Sequence, residues 1–478
     1  MNYKMVGYLL GWLLLFEALF LCVPVLTGIY YGEKELWAFL VTAIVCAAVG
    51  RIMTSKKPKR SELYSREGFV VVSLSWIVLS ICSAIPYYIS GAIPSVVDAL
   101  FESVSGLTTT GASAVQNVDI LPKSVLIWRS FTHWIGGMGV LVFIMAFIPL
   151  SGGQNMYLMK AESPGPSVGK LVPRVKTTAF LLYTMYFVLT FLEFVLLLCG
   201  RMSVFEAMNV AFSTAGTGGF SIKGSSMSEA SPYLQIVVTV FMILFSINFN
   251  SYFFLLKGKI KDALTSEVKI FLLIVGTSIA IITINISGMF PSIKDALRYA
   301  AFSVSAIISS TGFSATDFNM WPELSRSLLV ILMFVGACAG STGGGIKVSR
   351  IMILVKSMSK ELHQLIHPKQ VQKIKMDSQK VEHDVIRSVN VYMVCFMMVF
   401  VSSIILVSFD NLDLVTNFTA VTATINNIGV GLEKCGPAGG FYAFSPFFKL
   451  VLIFDMLAGR LELFPVLLLF VPATWKKN

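Results

Sequence analysis

The chain has 478 residues, 55% of them hydrophobic and only 13% charged, with a mean hydropathy of +0.77. That composition excludes a soluble enzyme, because runs of roughly 20 apolar residues are what cross a bilayer. The net charge of +11 would suit a nucleic-acid binder, but the basic residues sit in short loops between apolar runs, the bias of cytoplasmic membrane-protein loops, so no nucleic-acid partner is expected.

Met1-Asn2-Tyr3-Lys4 precede an apolar run to about Ile29. The run exceeds the ~7–15-residue core of a secretion signal and no small-x-small cleavage site follows, so a retained membrane helix is expected over about 5–30. A second is expected at 36–53, after the polar turn from Tyr31 to Glu35. The basic linker Arg51 to Arg66, with Lys56, Lys57, Lys59 and Arg60, belongs in the cytoplasm. Residues 1–66 therefore form an N-terminal unit of two helices and a linker.

One pattern then occurs four times: a long apolar segment, a shorter hydrophobic one, a Gly-centred turn rich in Thr, Ser or Asn, and another long apolar segment. Its boundaries are 67–176, 177–266, 267–385 and 386–478. The outer helices are expected near 68–90, 177–199, 268–289 and 386–408. The short segments fall at 95–107, 203–214, 293–308 and 412–424, and the inner helices near 124–149, 233–256, 325–355 and 446–472. At ~1.5 Å per residue the short segments cannot cross a core of ~30 Å, so each must enter and return on one side. Basic residues follow every inner helix: Lys160, Lys170, Arg174 and Lys176; Lys257, Lys259, Lys261 and Lys269; Arg350 through Arg387; Lys476 and Lys477. All four repeats thus run parallel with their turns opening outward, and both termini are cytoplasmic. The fold expected is an all-α polytopic membrane protein of about 10 spans and four re-entrant pore helices, with four membrane–pore–membrane repeats around a pseudo-fourfold pore plus two N-terminal transmembrane helices.

The turns are Thr108-Thr109-Thr110-Gly111-Ala112, Thr217-Gly218-Gly219-Phe220-Ser221, Ser310-Thr311-Gly312-Phe313-Ser314 and Asn426-Asn427-Ile428-Gly429-Val430. A turn at membrane depth is tolerated where it lines a watery cavity. Rings of backbone carbonyls can replace the water shell of a potassium ion without formal charge. Glycine permits the positive φ that turns carbonyls inward, and neighbouring hydroxyls and amides satisfy the unwound backbone. The re-entrant helices would aim their negative ends at the cavity.

Gly336, Gly340, Gly343, Gly344 and Gly345 fall within ten residues of the third inner helix. At roughly 1 kcal/mol each relative to Ala they preclude a stable helix interior, and a non-helical, mobile piece is expected there. Gly340 to Gly345 has the spacing of a phosphate-binding loop, but Ile346 stands where Lys is required, so no nucleotide site is assigned. Arg460, inside the last inner helix, either pairs with Asp455 or Glu462 or forms a positive barrier beneath the turns. Lys347 and Arg350 read as headgroup anchors of their helix, with a gating contact as the alternative. His133 and Trp134 read as an interfacial anchor. The stretch 356–385, with His363, His367 and Pro368, is either a solvated linker or the docking site of a cytosolic partner. The seven scattered cysteines read as free buried thiols, and neither they nor the four histidines show a metal-binding spacing.

The chain resembles the Trk/Ktr/HKT superfamily of potassium transporters, most closely the bacterial TrkH/TrkG type. The resemblance runs along nearly the whole chain. It rests on the four turns together with Arg66-Glu67-Gly68-Phe69, His133-Trp134-Ile135-Gly136-Gly137-Met138-Gly139, Gly340-Ser341-Thr342-Gly343-Gly344-Gly345-Ile346-Lys347 and Gly459-Arg460-Leu461-Glu462. It implies a homodimer in the bacterial inner membrane, conducting potassium under control of a cytosolic ring of TrkA type that binds the nucleotide itself. It also implies that 336–345 is an intramembrane loop obstructing the pore near Arg460. Some plant relatives with Ser at the first filter glycine favour sodium; Gly111 here points to potassium. The filter residues expected are Thr109, Thr110, Gly111, Thr217, Gly218, Gly219, Ser310, Thr311, Gly312, Asn426, Asn427, Ile428 and Gly429. The ion would be held at Thr110, Gly111, Gly218, Gly219, Thr311, Gly312, Ile428 and Gly429. Symport with protons or sodium stays open, and a broken-helix organic solute transporter is disfavoured by the parallel repeats. No nucleophile–base pairing argues for an enzyme.

Overall fold

The computed structural model describes residues 1–56, 58, 65–139, 175–370, 373–377 and 379–475. The basic residues expected at Lys57, Lys59, Arg60, Lys160, Lys170, Arg174, Lys476 and Lys477, the Lys176 side chain, and the far part of the first inner helix lie outside them. The regular secondary structure of the described chain is helical apart from one antiparallel pair of short strands, Lys375–Met376 and Gln379–Lys380.

Among the described residues, six helices are long and apolar enough to cross a bilayer: Tyr3–Tyr31, Leu36–Thr54, Arg66–Ile89, Thr177–Cys199, Ser266–Met289 and His383–Asp410. They are the two N-terminal helices and the four outer helices, and they make this a polytopic membrane protein. The first two cross where the backbones of Gly11 and Gly50 meet, the close approach that small residues allow between membrane helices. Lipid-facing side chains such as Phe187 and Phe191 stay exposed on the second outer helix.

After each outer helix comes a short one: Val96–Leu107, Val204–Ala215, Ile293–Ile308 and Leu414–Ile425. These have 12, 12, 16 and 12 residues, too few to span ~30 Å at ~1.5 Å per residue. Each starts at a side-chain cap, from Ser95, Ser203, Ser292 and Asp413, that accepts a backbone N–H of the first turn. Their inner ends are buried: every residue from Phe101 to Thr110 is enclosed by protein.

The inner helices depart from the sequence expectation, which makes the first, second and fourth continuous. The first runs Lys123–Gly137, with Gly139 at φ 83° just beyond. The second, Pro232–Ser246, breaks at Ile247 and Asn248 and resumes as Phe249–Leu256 bent by 93°. Ile247 is extended there, and the Asn248 side chain caps the new helix through the Asn250 amide at 2.9 Å. The third runs Glu323–Val335 and restarts as Val348–Ile366. The fourth ends at Arg460, passes through Glu462 and Leu463 at φ 63° and 52°, and restarts at Phe464–Leu469 with Pro465 in its first turn. Proline explains that last break, because Pro465 has no N–H to donate to the Leu461 carbonyl and its ring clashes with that carbonyl. The break in the second is met by packing, since Cys338 and Thr342 take up the carbonyls freed at Ser246 and Phe245.

Candidate functional site

The four turns share one backbone pattern. Thr109, Thr217, Ser310 and Asn427 have φ of 53°, 53°, 60° and 54°, and the glycines two residues on, Gly111, Gly219, Gly312 and Gly429, have φ of 79°, 77°, 75° and 77°. Thr110, Gly218, Thr311 and Ile428 between them do not share it. Left-handed backbone is a genuine outlier for Thr, and its recurrence at equivalent places marks a constrained site rather than ordinary turns. The register also reassigns Asn426. With Thr108, Gly216 and Ser309 it caps its short helix, one residue before the strained stretch.

The turns meet in a closed cycle. A Cβ placed on Gly111 would overlap the Gly218 carbonyl oxygen, one on Gly219 that of Thr311, one on Gly312 that of Ile428, and one on Gly429 that of Thr110. Each glycine thus lies against the middle residue of the next repeat, and the fourth returns to the first. All four glycines line one open cavity with Ser113, Ser221 and Ser314. The C-terminal ends of the four short helices lead into this ring.

Buried polar groups hold it. Thr108 shares its hydroxyl with Thr110 at 2.8 Å, and Ser309 does the same with Thr311 at 2.7 Å. The Asn427 amide donates to Thr110 Oγ1 and to the Met456 carbonyl, both at 2.9 Å. Arg129 donates to Glu102 at 3.1 Å, with side-chain exposures of 2% and 0%. Glu102 accepts from Ser113 Oγ at 2.5 Å and from the Ala114 amide at 2.8 Å; Arg129 reaches the Ser221 carbonyl at 3.3 Å and lies over the Phe220 ring. This pair ties the first turn to the second. Sequence reading passes over both Arg129 and Glu102 as site residues, although an Arg inside an apolar helix is itself a signal. His133 is corrected as well. It is no interfacial anchor but fully buried, with Nδ1 at 2.7 Å from the Gly106 carbonyl and Nε2 accepting the Phe220 amide at 3.2 Å.

Beneath the ring, 336–347 leaves the helical path with Gly336, Gly340 and Gly345 at φ of 69°, 73° and 79°. It is non-helical, as composition predicts, but pinned rather than loose. The Gly344 amide donates to Ser310 Oγ at 2.5 Å and the Gly345 amide to the Asn426 carbonyl at 3.0 Å. The Cys338 amide reaches the Ser246 carbonyl at 3.1 Å and the Thr342 hydroxyl reaches the Phe245 carbonyl at 3.1 Å, using carbonyls freed by the break in the second inner helix. Gly343 packs its α-carbon against Ala337. Lys347 bonds the Gly343 carbonyl, and Arg350 bonds Glu462 at 2.5 Å. Both basic residues are buried, at 2% and 5% exposure, so neither is a headgroup anchor.

Arg460 is the last residue of its helix rather than an interior one. Its guanidinium donates to the carbonyls of Gly136 at 2.5 Å, Gly137 at 2.7 Å and Thr342 at 2.9 Å. Asp455 instead accepts from Ser403 at 2.7 Å, and Glu462 pairs with Arg350. A cation there complements the negative end of the helix. Arg460, Lys347, Gly344 and Asn427 line one small cavity, which brings the expected gate residues against the expected filter.

Fold and site together define a polytopic membrane protein organised around four equivalent turns, with Lys347 and Arg460 lining a small cavity beneath them. The chain belongs to the TrkH family of cation transport proteins, whose family model matches residues 36–477. It is 34% identical over 486 aligned positions to the Trk system potassium uptake protein TrkH of Salmonella typhimurium, with 100% of both chains covered. It is 31% identical to TrkG of Escherichia coli, with 99% of each covered. The crystal structure of the potassium transporter TrkH from Vibrio parahaemolyticus matches with a TM-score of 0.89 at 32% identity, over 100% of both chains.

Proposed function

We propose that this protein takes up potassium across the bacterial cytoplasmic membrane through a gated, channel-like pore, with both termini in the cytoplasm. The observation that carries this reading is the cyclic contact of Gly111, Gly219, Gly312 and Gly429 with the carbonyls of Gly218, Thr311, Ile428 and Thr110. Alternating left-handed and ordinary residues present successive carbonyls to one side, which is what a dehydrated cation requires. The potassium uptake named for the TrkH and TrkG relatives supports the same cargo.

Each part then has a task. The ring replaces the hydration shell with neutral carbonyl dipoles, and four short helices add their negative ends, each about half an elementary charge. The segment 336–347 lies across the route, and Arg460 sets a positive barrier beneath the ring, so both must shift or be screened before an ion passes. The membrane potential supplies ~2.3 kcal/mol per charge per 100 mV for inward flow. The chain works as a homodimer beneath which a cytosolic nucleotide-binding ring sets the open fraction, and the nucleotide is held by that partner. The protein catalyses no covalent chemistry.

Rubidium uptake into proteoliposomes, with potassium and sodium as competitors, tests this. Potassium should block uptake far better than sodium, and Gly312→Ser should weaken that preference. Equal competition by the two ions in the unaltered protein would refute a potassium-selective ring.

A further inference from the structure

The segment 336–347 is also held from the side away from the ring. Glu267, 7% exposed, stands in the first turn of the third outer helix. Its Oε1 accepts the Ala339 amide at 2.8 Å and the Ser349 amide at 3.0 Å. Ala339 lies within the interrupting segment, and Ser349 is in the first turn of the helix that follows it. One carboxylate thus closes both sides of the interruption, using two N–H groups that the broken helix leaves without intrahelical partners. Anionic oxygen beside the start of Val348–Ile366 also meets that helix at its positive end.

The adjacent amide belongs to another part of the chain. Ser266 donates its N–H to Asp377 Oδ1 at 2.6 Å, and Asp377 is the turn of the hairpin made by Lys375–Met376 and Gln379–Lys380. Lys356, on the long helix after the interruption, donates to the Lys375 carbonyl at 2.7 Å. Met376 packs on the cluster containing Val268, Val348 and Met352. The hairpin therefore grips the two helices that Glu267 joins, at the next residue along.

We propose that Glu267 is a positioning residue for permeation, latching 336–347 across the route, and that the hairpin around Asp377 sets the latch from the membrane surface. The proposal rests on the pore reading above. Opening the route requires the Ala339 and Ser349 amides to leave the carboxylate. Whatever displaces the hairpin shifts the start of the third outer helix and loosens those two bonds together. Coupling between the two sites requires that 336–347 have two arrangements and that both sites bias the balance between them.

The test uses the full chain in proteoliposomes, alone, with rubidium flux and amide hydrogen exchange as readouts. Glu267→Ala should raise flux on the order of tenfold, the ratio expected for losing charge-assisted bonds. It should leave the potassium-over-sodium competition ratio unchanged and speed exchange at Ala339 and Ser349. Glu267→Gln keeps an acceptor oxygen but not the charge and should give a flux between those of the wild type and Glu267→Ala. Asp377→Ala, at the surface, should speed exchange at the same two amides. Wild-type flux from folded Glu267→Ala overturns the latch. If that variant does not fold, unchanged exchange at Ala339 and Ser349 in Asp377→Ala overturns the coupling. Gly312→Ser in the same preparation separates the two levels: an unaltered ion preference there refutes the pore reading, whereas an altered preference with unmoved Glu267→Ala flux refutes the latch alone.

Discussion

The Asn427 side-chain amide donates to the Thr110 hydroxyl at 2.9 Å, joining the fourth turn to the first across 317 positions of sequence. The same amide reaches the Met456 carbonyl at 2.9 Å, one turn before Arg460 in the last inner helix. The ring and the helix that ends at Arg460 are therefore linked through one side chain. Asn427→Ala should remove both bonds at about 1 kcal/mol each and weaken ion preference while leaving the fold intact. Rubidium competition measured beside a melting curve checks this; an unchanged preference would show that the link is dispensable.

Gly312→Ser tests the ring itself. The position has φ 75°, and a Cβ would overlap the Ile428 carbonyl oxygen, so the neighbouring turn must move. Left-handed backbone adds roughly 1–2 kcal/mol for a side chain-bearing residue. The expected result is weaker discrimination against sodium. Full retention of the potassium preference would refute the pore reading.

Arg460→Ala removes three charge-assisted bonds to the carbonyls of Gly136, Gly137 and Thr342. Basal rubidium flux should rise on the order of tenfold or more, because the positive barrier and a brace of 336–347 disappear together. Unchanged flux at equal surface expression would sink the barrier role.

Glu102→Gln strips the charge from a pair that is 2% and 0% exposed. Arg129 then stays buried with no counter-charge from Glu102, a situation that destabilises by about 3–5 kcal/mol. Denaturant unfolding in detergent should show the loss, with ion preference falling as Ser113 and Ser221 shift. A change under about 1 kcal/mol would mean that water reaches the guanidinium.

Asp413 caps the fourth short helix, accepting from the Thr416 amide at 2.8 Å and its hydroxyl at 2.5 Å. Partial burial pushes its carboxyl upward, but the Thr416 hydroxyl and amide outweigh this and hold it below the ordinary carboxylate range. A lowered folded value means that its stabilisation is complete above about pH 4, the ordinary Asp value, and is lost as the pH falls through the folded value. Asp413→Ala should therefore lower stability at neutral pH by about 1 kcal/mol, and the difference should vanish in strong acid. A gap between the two melting curves that persists there would assign the effect to something other than the cap.

Much of this protein was legible in its sequence because a membrane enforces local rules. Uniform apolar runs of the right length must be helices, since lipid satisfies no backbone group, and the six long helices fall where those runs lie. A segment of 12 residues such as Val96–Leu107 is too short to cross whatever surrounds it. Five glycines between Gly336 and Gly345 break a helix by local propensity alone. Long-range neighbours decided the rest. The break at Asn248 interrupts an apolar run, and the carbonyls freed at Phe245 and Ser246 are taken up by Thr342 and Cys338 from another repeat. Burial of Lys347, Arg350 and His133, which read as surface anchors, depends on partners up to 112 positions away. The placement of Asn426 one residue outside the strained stretch depends on a register visible only when all four turns face one another. Hydrophobic pattern and chain length act within a segment and can be read along it; hydrogen-bond partners and the closing of a ring are properties of how segments meet, and only the tertiary structure supplies them.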